Sequence, residues 1–324
     1  MSTAAHGGPG PDGPARHDFS TNANAAGPCP HALAAVLAAD PTRYPDASYQ
    51  ALRAALASFH GVVPGRVLLA ASGSEFIQRF TAVSARLAPG PVAVPAHGYG
   101  DYACAARACG RGVRPSPDAR ATLRWVAEPG SPLGQDEAPD AALGDVATVL
   151  DAVYATLRLS GSSAWDAAAQ DHAFVLHSPN KALGLCGVRG AYAIAPAAAR
   201  WQPWVHALQA ATPSWPVGAQ GVALLQAWCS AEAQTWLQHS LPTLRLWKAQ
   251  QVAALQALGH EVAASHTPFF CVRPQRPWAA ASFARHGVQL RDASSFSLPG
   301  WWRLNTLAPQ AQAALLRAIT EEHA

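Results

Sequence analysis

Lys181 is the residue best placed to do chemistry in this chain of 324 residues. It follows the apolar run Ala173-Phe-Val-Leu176, in a turn reading His177-Ser-Pro-Asn-Lys181-Ala-Leu-Gly-Leu-Cys-Gly-Val-Arg189. A neutral lysine amine is a nucleophile that condenses with an aldehyde, and burial or a nearby cation lowers its pKa toward that state. Ser178 and Arg189 add a hydroxyl and a guanidinium, groups suited to holding a phosphate. Upstream, Asp151-Ala-Val-Tyr154 ends another apolar run. A carboxylate there keeps a pyridine nitrogen protonated, and a phenol donates to a ring oxygen. Aldehyde, phosphate, pyridine nitrogen and ring oxygen belong together in pyridoxal 5'-phosphate, so these residues predict an enzyme that binds that cofactor.

Further candidates follow other β runs. Ser72-Gly73-Ser74-Glu75 comes after Val67-Leu-Leu-Ala70 and opens a helix. Backbone N–H groups at a helix start bind phosphate, and glycine lets the anion approach. An ordinary serine cap gives the same pattern. In His97-Gly-Tyr99-Gly-Asp-Tyr102, Tyr99 could stack on a pyridine ring or fill a core position at a helix start. Arg291 and Arg303 lie on two β runs near the end of the chain, where guanidinium groups could pair with carboxylate or phosphate. Trp301 and Trp302 beside Arg303 indicate a sheltered setting. The one other lysine, Lys248, falls in a helical stretch.

The elements that must position these groups read as α/β. Short β runs at 67–70, 92–94, 122–127, 146–150, 173–176 and 191–195 alternate with helical patterns. In an open parallel sheet, ligands bind beyond the carboxyl ends of the strands, where Ser72-Gly73-Ser74, Tyr99, Asp151 and Lys181 fall. Helices are expected at 31–39, from Ser48 to a stop at Gly61, at 75–87 and from about 101. After 197 the pattern is mostly helical to 258, with breaks expected at Thr212-Pro-Ser-Trp-Pro216 and Leu241-Pro242. β runs at 269–272, 288–291 and 302–305 follow, with helices at 278–286 and from Pro309. The expectation is a large domain with a mostly parallel central sheet and helices on both faces, plus a small α+β domain. Residues 1–43 are read as an arm and part of the small domain, 44–208 as the large cofactor-binding domain, and 209–324 as the small domain.

Composition narrows the partners. The formal charge is +3 and no basic run occurs, which argues against a nucleic-acid partner. Six cysteines form no Cys-x-x-Cys pair, which suggests a reduced protein without structural zinc or any other metal. Neither a secretory pattern nor an apolar run of membrane length is visible, so a cytoplasmic location away from membranes is expected.

Together these residues resemble the class I/II aminotransferase family of fold-type I pyridoxal-phosphate enzymes, over nearly the whole chain. The resemblance implies that Lys181 holds the cofactor covalently and that Asp151 and Tyr154 bind its ring. It implies a phosphate cup of Gly73, Ser74, Ser178 and Arg189, with Tyr99 as the stacking ring. Tyr44, in Arg43-Tyr-Pro-Asp46, would reach the cofactor phosphate of a neighbouring subunit, which implies a homodimer. Arg303 would take the substrate carboxylate and Arg291 a substrate phosphate.

His6-Gly-Gly8 and Asp18-Phe-Ser-Thr-Asn22-Ala-Asn24 resemble the arm of the threonine-phosphate decarboxylases of cobalamin synthesis, with His6 and Asn24 at the substrate. Ser131, in Glu128-Pro-Gly-Ser131-Pro-Leu-Gly134, stands where the family carries an asparagine on the ring oxygen. The implied activity is decarboxylation of a small phosphorylated amino acid. The alternative is an aminotransferase of the histidinol-phosphate type. A cofactor-binding protein without catalysis is a third reading, favoured by Ser131 alone.

Overall fold

Runs of valine, leucine and alanine too apolar to face water on either side build the central sheet. Val67–Ala70, Leu123–Ala127 and Ala191–Ile194 are buried along their whole length, as expected of strands covered by helices on both faces. The structure, a computed structural model, describes residues 7–10, 13–140 and 145–322. The large sheet has seven strands in the order Val67–Ala70, Ala191–Ile194, Phe174–His177, Ala147–Asp151, Leu123–Ala127, Val92–Val94, Val113–Pro115. Ala191–Ile194 is antiparallel to both neighbours, and the remaining pairs are parallel. The α/β class with a mostly parallel sheet is therefore what the chain adopts.

The edge strand Val113–Pro115 was not expected. It pairs with Val92–Val94 alone, and an edge is where a proline, lacking an N–H, disturbs a ladder least. The break expected at Pro242 does not occur. The helix Ala231–Ala257 runs through it, with Leu237, Leu244 and Leu255 buried on both sides of the proline. Burial of that face outweighs the lost backbone bond.

A smaller antiparallel sheet is ordered Arg291–Asp292, Trp302–Asn305, Phe269–Arg273, Glu261–Val262. The β run expected at 288–291 divides. Val288–Gln289 pairs with His17–Asp18 of the arm, while Arg291–Asp292 pairs with Trp302–Asn305. The arm is stitched to this lobe. The Phe19 N–H donates to Gln289 O, the Asn305 N–H donates to Phe19 O at 2.8 Å, and the Phe19 ring is fully buried. Burying that ring contributes about 2–3 kcal/mol. Among the described residues, no helix is long and apolar enough to cross a membrane.

Candidate active site

Asp151 closes the central strand Ala147–Asp151, so its carboxyl emerges at the carboxyl end of the sheet. The Val153 N–H donates to Oδ1 at 3.1 Å, and the Tyr102 hydroxyl donates to Oδ2 at 2.5 Å. Burial raises its pKa above the usual carboxylate value. The Tyr102 and Val153 hydrogen bonds and the charge of Lys181 oppose that rise. Tyr102 itself is buried, lies nearly parallel to Trp125 with centroids 4.9 Å apart, and meets Tyr99 edge-on at 5.9 Å.

Lys181 sits in the turn after Phe174–His177, its Nζ 5.7 Å from the centre of the Tyr154 ring. That turn is tied down from several sides. Asn180 donates to the carbonyls of Cys186 and Val188 at 3.2 and 3.3 Å, and accepts from the Ser178 hydroxyl at 2.9 Å. The arm adds the Asn24 N–H on Lys181 O and the Cys29 N–H on Leu183 O, both at 2.9 Å. Gly184 has φ of +69°, and a Cβ there would lie 2.7 Å from Gly27 O, so only glycine suits this approach of turn and arm.

At the start of the helix Gly73–Leu87, the Ser72 hydroxyl accepts the Glu75 N–H. The first backbone N–H groups of a helix have no partner within it. Ser74 Oγ and the Tyr99 hydroxyl are 3.2 Å apart, and burial pushes the Tyr99 phenol well above its usual pKa. Tyr99 and Ser74 are thus joined directly, and Tyr102 links Tyr99 to Asp151.

From the small sheet come Arg291 and Arg303, directly paired across adjacent strands and both buried. Their guanidinium carbons lie 5.1 and 5.7 Å from the centre of one ring, Phe296. Arg303 donates to Ser131 Oγ at 3.1 Å and to Ser20 O of the arm, and its Nε has no partner among the described residues. Burial lowers the pKa of both arginines, while the charges of Asp292 on Arg291 and of Asp18 on Arg303 act against that fall.

Other candidates are placed differently. Tyr44 is 78% exposed and stacks on Trp215, and Arg189 is exposed. No hydrogen bond, ion pair or ring contact among the described residues joins either to the Asp151–Lys181 cluster. His6 lies outside the described residues. Asn24, expected at the substrate, spends its amide on Ala182 O and Ser240 Oγ, while its carbonyl oxygen accepts the Ala26 N–H. The arm asparagine that faces the cluster is Asn22. Its amide donates to the Tyr154 hydroxyl at 3.4 Å, and its buried Oδ1 has no partner among the described residues. Tyr102 and Asn22 both stand in the motifs, and nothing in the sequence separates them from their neighbours Tyr99 and Asn24.

The cluster fits pyridoxal phosphate. Each Asp151 oxygen holds one donor and keeps capacity for a ring N–H. Lys181 Nζ stands over the Tyr154 ring, and a helix start carrying Ser74 adjoins Tyr99. Residues 125–320, more than half of the chain, match the family described as aminotransferase class I and II. The chain belongs to that family. It is an enzyme of this pyridoxal-phosphate-dependent kind.

Among its relatives, histidinol-phosphate aminotransferase 1 of Cupriavidus pinatubonensis (strain JMP 134 / LMG 1197) is 30% identical, with 89% of this chain and 82% of that protein covered. Histidinol-phosphate aminotransferase of Jannaschia sp. (strain CCS1) is 26% identical, covering 93% and 90%. The fold is shared with L-threonine-O-3-phosphate decarboxylase from Porphyromonas gingivalis, at TM-score 0.75 and 21% identity over 94% of this chain and 98% of that one. It is shared equally with histidinol-phosphate aminotransferase from Sinorhizobium meliloti in complex with pyridoxal-5'-phosphate. That match has TM-score 0.74 and 20% identity over 93% and 89%.

Proposed function

We propose that this enzyme decarboxylates a small phosphorylated amino acid of the L-threonine-O-3-phosphate type. The observation that carries the reading is the buried cross-strand pair Arg291 and Arg303, both against Phe296. Two guanidiniums sheltered side by side suit a substrate with two anionic groups, a carboxylate and a phosphate. The arm reaches this pair through Ser20 O, which accepts from Arg303. The decarboxylase from Porphyromonas gingivalis, alike over nearly its whole length, supports the reading at the level of fold.

When bound, the cofactor supplies an aldehyde for the substrate amine and a ring that accepts an electron pair from the substrate α-carbon. The remaining roles fall to the protein. Lys181 Nζ would hold the cofactor covalently and would serve as the proton carrier of the site. Asp151 would accept a ring N–H, and Tyr154 would donate to the ring oxygen. Gly73, Ser74, Ser178 and Arg189 would hold the cofactor phosphate, and Tyr99 would pack on the ring. Arg303, with Ser131, and Arg291 would fix the substrate anions and so set the orientation of the substrate. We read the molecule as a homodimer in which Tyr44 completes the neighbour's site. We also read it as cytoplasmic, in keeping with six cysteines all free.

A second reading, an aminotransferase of the histidinol-phosphate type, draws on the relatives of that name. Incubation with L-threonine O-3-phosphate separates the two. Carbon dioxide released without a keto-acid acceptor supports decarboxylation. Turnover of histidinol phosphate only with an acceptor, and none of threonine phosphate, would replace it with the second reading.

A further inference from the structure

The short turn Ser294–Phe296 stands between the strands that carry the two arginines. Ser295 Oγ accepts Arg291 Nη2 at 2.7 Å, and the Phe296 ring meets both guanidiniums. From the turn after Val92–Val94, His97 Nδ1 lies 2.8 Å from the Phe296 carbonyl oxygen, across 199 residues of sequence. A carbonyl only accepts, so Nδ1 carries the hydrogen. His97 leads directly into Tyr99, which bonds Ser74 and packs on Tyr102. One side chain therefore connects the turn proposed to face the cofactor with the turn that organises both arginines.

We propose that His97 is a positioning residue for substrate, holding the Ser294–Phe296 turn so that Arg291 and Arg303 form one pocket for a phosphorylated amino acid. The proposal rests on the phosphorylated-substrate reading above. His97 touches no reacting atom in this scheme. It acts through Phe296 on the arginines, and its loss leaves the cofactor in place.

The test uses the holoenzyme, whose cofactor already fills its own phosphate cup, with inorganic phosphate as the probe and the cofactor absorbance as the signal. His97→Ala is expected to weaken phosphate binding about fivefold, the worth of one neutral hydrogen bond, with cofactor affinity unchanged. Amide exchange at Phe296, Ser297 and Leu298, which bond back to Ala293 and Ser294, should quicken about fivefold or more. His97→Asn keeps an N–H donor at similar reach and should restore both to within about twofold. Unchanged exchange in His97→Ala, or His97→Asn behaving as His97→Ala, would overturn the proposal. A parent that binds no phosphate would sink the phosphorylated-substrate reading, and the exchange comparison would still decide the role of His97.

Discussion

The Tyr102 hydroxyl lies 2.5 Å from Asp151 Oδ2, while the Tyr102 ring is clamped flat against Trp125. This bond favours the ionised carboxylate in a site where burial pushes the proton back on. Tyr102→Phe keeps the ring stack and removes only the donor. The pKa of Asp151 should then rise further, and its hold on a ring N–H should weaken. Cofactor affinity is expected to fall about tenfold, in line with one hydrogen bond to a charged group. Absorbance titration of the apoprotein with pyridoxal phosphate measures this. Equal affinity in parent and variant would mean the hydroxyl does not support the acid.

Much of this site was legible because strand ends are legible. Apolar runs ending in Asp151 or leading to Lys181 place both residues at one edge of a parallel sheet, whatever the details of the helices. Partner choice within a motif was not legible. Tyr99 and Tyr102 begin the same short helix, and only packing shows that Tyr102 turns inward to Asp151. Asn22 and Asn24 lie in irregular backbone, where no periodicity says which one faces the cleft. Pro242 misled because its local cost is visible in sequence, whereas the buried leucines that override it act through tertiary packing.

Gly7 shows how tightly the arm is fitted. A Cβ on it would lie 2.2 Å from Ser20 O and 3.1 Å from Arg303 Nη2. Gly7→Ala must therefore push the arm away from Arg303, since the nearest obstacle is backbone. Substrate KM should rise about tenfold or more while cofactor affinity stays at the parent value, because the Lys181 turn is held separately by Asn24 and Cys29. Steady-state kinetics beside a cofactor titration reads the two effects apart. An unchanged KM would show that this part of the arm does not border the substrate.

His60 and His177 form a sheltered pair. Their rings are 4.7 Å apart, and His60 Nε2 lies 2.8 Å from the Tyr192 hydroxyl. Burial lowers the pKa of His60 to about 4, and burial with the charge of His60 lowers that of His177 to about 3. Both folded values lie below the unfolded value of about 6.5, so the unfolded chain takes up protons first as pH falls. Stability from this pair is complete above about pH 6.5 and drains away as pH drops toward 4 and then 3. Melting temperature should fall between pH 7 and 5.5, and His60→Gln should flatten that slope. An equally steep slope in the variant would move the acid sensitivity elsewhere.

Tyr44 and Trp215 stack with centroids 4.5 Å apart, and Tyr44 is 78% exposed. A second copy is the cover proposed here for this ring pair. Subunit mixing tests both the dimer and the direction of Tyr44. Lys181→Ala and Tyr44→Ala proteins should each be nearly inactive alone. In a mixed dimer, the Tyr44→Ala subunit keeps its own Lys181 and receives Tyr44 from its partner, so one site is whole. Random reassortment of equal amounts should recover about one quarter of the parent activity. Were Tyr44 to serve its own subunit, neither site of the mixed dimer would be complete, and no activity would return. A protein that sediments as a monomer at assay concentration would exclude the shared site altogether.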